Sequence, residues 1–287
     1  MEFMRDFPDD ATCLNWLWQT RYAHDGEHAY CPKCDGERAF KRYDTAQQRQ
    51  SWTCTTCGHH IHPTAGTIFH KSSTSLTLWF YAIYLMTSTR CGISAKQLER
   101  EIGVTYKTAW RMMNLIRNEL MEDEPDMMDG EIEVDETYVG GKRKAAKGRY
   151  PAKSTPIFGM VQRGGKVHAQ PVRDASAFTL QPIIMKKVMP ESTIFTDGHG
   201  GYQYIDTRGG YTHHRMKHDE GVYVSGNVHT QTIENFWSLV RRGISGVYHN
   251  VSAKHLQGYL SEYVFRYNHR DDGAAMFLTL LLRAARP

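Results

Sequence analysis

Hydrophobic and acidic residues alternate strictly in the stretch GEIEVDETYVGGK, residues 130–142. The alternation predicts an extended segment with apolar side chains on one face and acids on the other, namely Ile132 and Val134 opposite Glu131, Glu133 and Asp135. A charge on so apolar a strand costs desolvation energy unless a cation or a hydrogen-bond donor lies opposite it. Asp135 is therefore either a surface residue or half of a site.

Two further acids lie on predicted elements far along the chain. The strand-like run 192–196 ends at Asp197, and small residues follow it. Glu234 lies in HTQTIENFWSLVRRG, where apolar residues recur at helical spacing. If the three carboxylates converged, they would raise one another's pKa, and hard divalent cations would stabilise them. Mg²⁺ or Mn²⁺ is the expected cofactor, and a pair of such ions suits phosphodiester transfer.

A basic residue and two histidines accompany these acids. Arg241 follows Glu234 by seven residues, about two helical turns, so it projects from nearly the same face and could hold a phosphate. His199 and His229 flank two of the acids and either support them or are ordinary loop residues. The chain has no GxxxxGK[ST] loop and no dinucleotide-binding glycine pattern, so ATP is not implied.

The cysteines form two CxxC pairs, Cys31 with Cys34 and Cys54 with Cys57. Four thiolates at this spacing can close a tetrahedral shell around Zn²⁺, and the residues between the pairs can form two short strands. The zinc would be structural, because four thiolates leave no open position. Neither a redox pair nor chance cysteines would explain the doubled motif. The pattern favours a zinc ribbon in a reducing compartment.

The pattern becomes helical from residue 75 onward and includes a pair of helices with helix-turn-helix spacing. Ser94 can cap the first helix and Thr105 the second, with Gly103 in the turn between them. In DNA-binding versions of this motif, the start of the second helix meets the base edges. A plain helical hairpin is the alternative. The candidate DNA contacts are Thr105, Tyr106, Lys107, Thr108 and Arg111.

Residues 130–248 predict three strands, a helix, a strand, a helix, a strand and a helix, in that order. The acids fall on the first strand, the fourth strand and the last helix, which is the ribonuclease H-like arrangement. The predicted fold class is therefore α+β with a mixed sheet, preceded by the ribbon and the helix-turn-helix. A basic loop after the first strand either is solvated or contacts phosphate, through Lys142, Arg143 and Lys144.

These patterns divide the chain into six expected parts. They are an N-terminal helix (1–30), the zinc ribbon (31–70), the helix-turn-helix domain (71–121), a linker (122–129), the ribonuclease H-like domain (130–248) and a C-terminal helical segment (249–287). In the last part, apolar residues at helical spacing predict core packing or an interface.

Charge and hydropathy add two expectations. The formal net charge is +4, and the excess of Lys and Arg lies in residues 131–287, the part that carries the three acids. A basic surface around an acidic centre suits a polyanionic substrate. The N-terminus lacks a basic segment followed by an apolar run, and the apolar segments are shorter than the ~20 residues of a membrane helix. We therefore expect a soluble, cytoplasmic protein without membrane contact.

Six features, taken in chain order, closely resemble bacterial insertion-sequence transposases of the DDE class, in the zinc-ribbon branch called ISXO-two-like. They are the doubled CxxC, the helix-turn-helix, VDETYVGG, TDGHGGY, HTQTIENFWSLVRRGI and VYHNVSAKHLQGYLSEYVFRYNHR. The resemblance covers nearly the whole chain, from about residue 7 to residue 270. It implies a catalytic triad of Asp135, Asp197 and Glu234, with 36 residues between the last two.

The resemblance also bears on the neighbours of the triad. Arg241 stands where such enzymes often carry Lys, so it keeps the charge but differs in type. Asn235 lies next to Glu234 and is the alternative third ligand. The remaining acids near these motifs would take no part, namely Glu136, Asp174 and Glu220.

The activity implied by the resemblance is DNA transposition. The protein would bind the terminal inverted repeats of its element, free a 3′-hydroxyl with a metal-activated water and join that hydroxyl to target DNA. It would act in association with the bacterial nucleoid, as a homodimer or higher homo-oligomer on DNA.

Three alternatives stay open. A DNA-binding regulator would leave the acids unexplained. A decayed transposase would bind DNA without cutting it, although all three acids and Arg241 are present. A host nuclease acting on RNA-DNA hybrids would have no use for the N-terminal DNA-reading modules.

Overall fold

The computed structural model describes residues 2–43, 50–89, 91–123, 126–140, 154–216, 229–273 and 275–286. The chain forms two compact units, one of Met1–Leu120 with Asp272–Pro287 and the other of Met121–Asp271. The described helices include none with the length and apolar character that a membrane-spanning helix requires.

The first unit contains a small antiparallel sheet in the order β1-β2-β3-β4. Trp18, on the second helix, is fully buried and packs that helix on the sheet by stacking on Trp52 with ring centroids 4.8 Å apart. The indole of Trp18 also donates to the backbone oxygen of Gly26 at 2.9 Å. The elements are α1 (Glu2–Asp6), α2 (Asp10–Arg21), β1 (His28–Cys31), β2 (Gly36–Tyr43), β3 (Ser51–Cys54) and β4 (His60–Ile61).

The helices that follow begin at the predicted caps. Ser94 accepts a hydrogen bond from the backbone of Gln97, and Thr105 accepts one from the backbone of Thr108. Gly103 ends the first helix of the pair with a left-handed φ of 68°. The predicted helix starts and turn are therefore confirmed. The elements are α3 (Leu76–Ser88), α4 (Ala95–Ile102), α5 (Tyr106–Leu115), a π-helical turn (Ile116–Leu120) and α10 (Ala275–Ala284), which contacts α3.

The second unit is built on a mixed sheet in the order β7-β6-β5-β8-β9. The strands β5, β6 and β7 pair antiparallel, whereas β8 pairs parallel with both β5 and β9. This is the sheet of the ribonuclease H-like fold, as the order of elements predicts. The strands are β5 (Glu131–Val139), β6 (Thr155–Gln162), β7 (Val167–Pro171), β8 (Thr193–Thr196) and β9 (Thr212–Arg215).

Helices cover both faces of this sheet. The face with Ile132 and Val134 packs against α6 and α7, and the opposite face packs against α8 and α9. The alternation along β5 therefore sends Ile132 and Val134 into one core, and Glu133 and Asp135 toward α8. The elements are α6 (Ala177–Lys187), a 3₁₀ turn (Gly200–Tyr202), α7 (Ile205–Gly209), α8 (Gln231–Gly243), a π-helical turn (Ile244–Tyr248), a 3₁₀ turn (Ala253–His255) and α9 (Leu256–Asn268).

Helix α8 approaches the sheet closely at Gly159 on β6. Gly159 pairs with Asp135 of β5, and a Cβ atom built on Gly159 would lie 2.5 Å from Cζ2 of Trp237. No side chain at position 159 can occupy that space while the indole stays in place. The glycine therefore lets α8 lie directly on the strands that carry Asp135.

We predict that Gly159→Ala lowers the free energy of unfolding by about 1–3 kcal/mol, the usual cost of overpacking a core. The measurement is the urea unfolding midpoint followed by tryptophan fluorescence. Gly246→Ala is the matched control, because a Cβ atom there meets nothing within 4 Å. Equal midpoints for the two variants would contradict this packing.

Candidate functional site

Asp135 lies in the middle of β5, on the face that α8 covers. Its Oδ2 accepts a hydrogen bond from Nε1 of Trp237 at 3.0 Å. Burial, together with the nearby carboxylates of Glu136 and Asp197, raises the pKa of Asp135 to about 7. The Trp237 indole does not offset this effect. Asp135 is thus a half-buried acid whose negative charge the surrounding protein compensates only in part.

Asp197 reaches this acid through the parallel pairing of β8 with β5. In that register Glu133 lies opposite Phe195, so Asp135 and Asp197 each follow a paired residue by two positions. Asp197 comes directly after β8, where its Oδ1 accepts the backbone N–H of His199 at 2.9 Å. Two acids that are distant in sequence thus lie at the same level of neighbouring strands.

Glu136 follows Asp135 on β5, and its carboxylate is close enough to raise the pKa of Asp135. That it takes no part in the reaction stays a prediction. Its Oε2 accepts the hydroxyl of Tyr202 at 2.5 Å, and its Oε1 lies 3.7 Å from Nδ1 of His199. Burial raises the pKa of Glu136, and the charge of Asp197 contributes in the same direction. The acidic centre therefore contains a third carboxylate that is adjacent to Asp135 in sequence.

Glu234 lies in the first turn of α8 and is exposed. Its Oε1 accepts the hydroxyl of Thr230 at 3.2 Å. In the described part of the chain, no group of carboxylates gathers closely enough to share one ion, so Glu234 does not close on Asp135 and Asp197 in this structure. It lies one helical turn before Trp237, whose indole reaches Asp135.

Arg241 lies on the same stripe of α8, two turns after Glu234. Its Nη2 donates to Oγ1 of Thr137 at 2.5 Å, two residues along β5 from Asp135. The helical spacing therefore brings a cation to the strand that carries Asp135, and its predicted contact with phosphate stays a prediction.

The four predicted zinc ligands converge in the first unit. Their sulfur atoms all lie within 4.8 Å of one another, and the group could hold a metal ion. Although burial opposes ionisation, backbone N–H groups of Cys57 and Thr56 lower the pKa of the Cys54 thiol to about 6. Four sulfurs with a thiolate already favoured are the donor set of a structural Zn²⁺ site.

The start of α5 presents four of the five predicted DNA contacts at the surface, because Thr105, Tyr106, Lys107 and Arg111 are exposed. Thr108 is half-buried, and its hydroxyl lies 3.0 Å from that of Thr105 within the helix cap. The basic loop residues of the prediction, Lys142, Arg143 and Lys144, lie outside the described residues.

Residues 127–268 match the family model of the ISXO2-like transposase domain. Over these residues the chain belongs to the ISXO2-like transposase family. The match contains β5 to β9, α6 to α9 and the acidic centre. It confirms the family that the sequence motifs resemble.

Two curated proteins are similar to this transposase in sequence. An uncharacterized protein in transposable element ISH50 of Halobacterium salinarum is 29% identical over 92% of each chain. An uncharacterized transposase-like protein of Haemophilus influenzae is 28% identical over 37% of this chain and 84% of its own.

Two solved structures are similar at low TM-scores. A simian T-cell lymphotropic virus intasome in complex with PP2A regulatory subunit B56 gamma has a TM-score of 0.32 and 16% identity, over 62% of this chain and 66% of that chain, just under two thirds. The pre-cleavage Mos1 transpososome has a TM-score of 0.29 and 9% identity, over 72% and 79%. The strand order itself, rather than these likenesses, identifies the fold of the transposase.

Several residues around the acids of the transposase were missed by the sequence reasoning. Trp237 and Tyr202 each hydrogen-bond an acid of the centre, a role that the sequence analysis does not assign to them. The sequence signal for Glu136 was its position next to Asp135. Glu133 and Arg163 form a buried ion pair with 2.8 Å between Oε1 and Nε, and no local pattern pointed to that pair.

We predict that Cys34→Ser removes the zinc that the ribbon holds, because three thiolates and a hydroxyl bind Zn²⁺ more weakly than four thiolates. Metal analysis after gel filtration should find about one zinc per chain in the wild type and far less in the variant. Cys91→Ser, at an exposed cysteine outside the group, should keep its zinc. A Cys34→Ser protein with full zinc would exclude the four-cysteine site.

Proposed function

We propose that this transposase is a metal-dependent enzyme of the DDE class that cuts and joins DNA at the ends of its element. Asp135, Asp197 and Glu234 are the acids that would hold the ions. The observation that carries the proposal is the half-buried carboxylate of Asp135, which lies at the same level as Asp197 on the neighbouring strand. Desolvation and the neighbouring acids Glu136 and Asp197 raise its pKa to about 7. A bound cation would favour the ionised form of this carboxylate and offset the repulsion between the neighbouring acids.

The donor set fits Mg²⁺ or Mn²⁺, because hard divalent ions prefer carboxylate oxygens. When bound, a pair of such ions would activate the attacking oxygen and stabilise the leaving one. The residues of this chain would bind and orient the ions. The indole of Trp237 holds the Asp135 carboxylate through Oδ2, and the backbone of His199 holds Asp197 through Oδ1.

Glu234 would complete the set from α8. Its side chain is exposed in the first turn and bonded only to Thr230 among the contacts described above. To hold an ion with the other acids, Glu234 would exchange its bond with Thr230 for a contact with that ion. Arg241 would then neutralise a phosphate of the bound strand from two turns further along the same helix.

The substrate of the proposed reaction is double-stranded DNA. The exposed start of α5 would contact the base edges and backbone of the element's ends, and the zinc ribbon would assist. Lys142, Arg143 and Lys144 would contact phosphate from the loop after β5. A free 3′-hydroxyl then exchanges one phosphodiester for another, so no nucleotide cofactor is needed. We expect a homodimer or higher homo-oligomer on DNA, since an element has two ends.

The first test of the proposal is Asp135→Asn, assayed on a supercoiled plasmid that carries the coding locus with its flanking DNA. The wild type should nick this plasmid when Mn²⁺ is present. The variant should lose more than about 100-fold in rate, because even residues that only support a metal ligand cost about 10- to 100-fold. Its affinity for the same DNA should be unchanged.

Asp206→Asn is the matched control for this test. Asp206 is an exposed acid of α7 that bonds the backbone of Thr207. The Asp206→Asn variant should nick the plasmid at the wild-type rate. If Asp135→Asn nicked the plasmid at the wild-type rate, the acidic centre would not be the active site. Binding without nicking by the wild type would instead support a non-catalytic DNA-binding regulator or a decayed transposase.

For the DNA-binding surface, we predict that Lys107→Ala weakens duplex binding and reduces the slope of log affinity against log salt by about one, the effect of losing one phosphate contact. Fluorescence anisotropy at several salt concentrations measures this slope. Lys186→Ala removes an exposed lysine of α6 and should leave the slope unchanged. If the slope for Lys107→Ala equalled that of the wild type, Lys107 would not contact a DNA phosphate, and the DNA-binding surface would lie away from the start of α5.

A further inference from the structure

Glu133 is a fully buried acid that the proposed reaction does not use. Its Oε2 accepts the backbone N–H groups of Thr232 at 2.7 Å and Ile233 at 3.0 Å. Its Oε1 accepts the hydroxyl of Thr232 at 3.0 Å and Nε of Arg163 at 2.8 Å, and lies 3.2 Å from Nδ1 of His229. Both oxygens of this carboxylate are therefore fully used within the protein.

Two of these donors are backbone groups at the start of α8. The first amides of a helix have no partner within the helix, and the positive end of the helix dipole favours a carboxylate there. The residue before α8, Thr230, supplies no side-chain cap, because its hydroxyl donates to Glu234 instead. The carboxylate of Glu133, on the neighbouring strand β5, accepts these amides instead and so caps the helix.

Arg163 holds this carboxylate from the other side. Its Nη1 donates to Oε2 of Glu131 at 3.0 Å, and its Nη2 donates to the backbone oxygen of His229 at 2.8 Å. Its guanidinium carbon lies 4.0 Å from the ring centroid of Phe195 on β8. The charge of Glu133 is thus compensated, in contrast to that of Asp135, and the residues just before α8 are tied to β5.

We propose that Glu133 is a positioning residue that sets the distance between Glu234 and Asp135, an inference that rests on the proposed function. Glu133 and Asp135 share one face of one strand, and Glu234 directly follows Ile233, whose amide Glu133 binds. Asp135 lies on β5 and Glu234 lies at the N-terminus of α8. The buried carboxylate of Glu133 joins these two elements, so it fixes the separation of the two acids. A shift of about 1 Å at such a point can cost about 100-fold in rate.

The test compares Glu133→Gln with Glu131→Gln. Glu131 lies on the same strand and binds the same arginine, but its side chain is 46% exposed and makes no contact with α8 among those described. We expect Glu133→Gln to lower kcat for plasmid nicking by about 10-fold and to raise the half-saturating Mn²⁺ concentration by a similar factor. KM for DNA should stay at the wild-type value. Glu131→Gln should match the wild type in all three.

Two readouts are independent of turnover. Binding of Mn²⁺ to the DNA-free protein, followed by electron paramagnetic resonance of the free ion, should weaken in Glu133→Gln only. Amide hydrogen exchange at Thr232 and Ile233 should speed up in the same variant, at a temperature well below its melting point. Wild-type kcat and Mn²⁺ affinity in folded Glu133→Gln would overturn the proposal. Equal losses in Glu131→Gln would also overturn it, because they would trace the effect to Arg163.

Thr232→Val decides the question if Glu133→Gln does not fold. It removes only the hydroxyl donor to Oε1 and leaves the carboxylate and both amide contacts in place. We expect a smaller loss of kcat and Mn²⁺ affinity in the same direction, and unchanged values would overturn the proposal. The proposed function fails separately, through wild-type nicking by Asp135→Asn.

Discussion

The two acids of β5 that face α8, Glu133 and Asp135, are the constraint on which the catalytic unit depends. A carboxylate under a helix costs several kcal/mol unless donors or cations surround it. Glu133 meets this condition with two helix amides, a hydroxyl and Arg163. Asp135, two residues later, has one indole N–H and two acidic neighbours. The same face of one strand thus holds an acid that stabilises the fold and an acid that the fold leaves available for a cation.

The topology of the sheet determines which distant residues meet Asp135. Parallel pairing with β8 brings Asp197 to the same level from one side. Antiparallel pairing with β6 brings Gly159 from the other side, and its missing side chain leaves room for Trp237. A sheet with all strands antiparallel would send the end of β8 to the opposite edge. The mixed sheet is therefore a requirement of the acidic centre.

Local patterns were sufficient for much of this architecture. Alternation along β5 gave its two faces, the caps Ser94 and Thr105 gave two helix starts, and the doubled CxxC gave the sulfur cluster. Such local patterns do not predict which residues from distant parts of the chain contact one another. Alternation predicts that Glu133 and Ile132 lie on opposite faces of β5, but it does not predict that the N-terminus of α8 contacts Glu133. Arg163 follows β6 in an R-G-G sequence that indicates a hairpin turn, and this gave no sign of its carboxylate partners. The contact of α10 with α3 likewise depends on a helix nearly 190 positions away.

The way α8 lies along β5 explains why the acids and Arg241 fall on one line. Ile233, Trp237 and Arg241 contact Glu133, Asp135 and Thr137 in turn. Four helical residues rise about 6 Å and two strand residues rise about 6.6 Å. Because these rises are nearly equal, each of the three helix residues lies at the level of its strand partner over two helical turns. A helix and a strand running in the same direction can therefore match every fourth residue with every second. Glu234 directly follows Ile233, the first residue of this series, so the same match fixes the level along β5 at which its backbone lies.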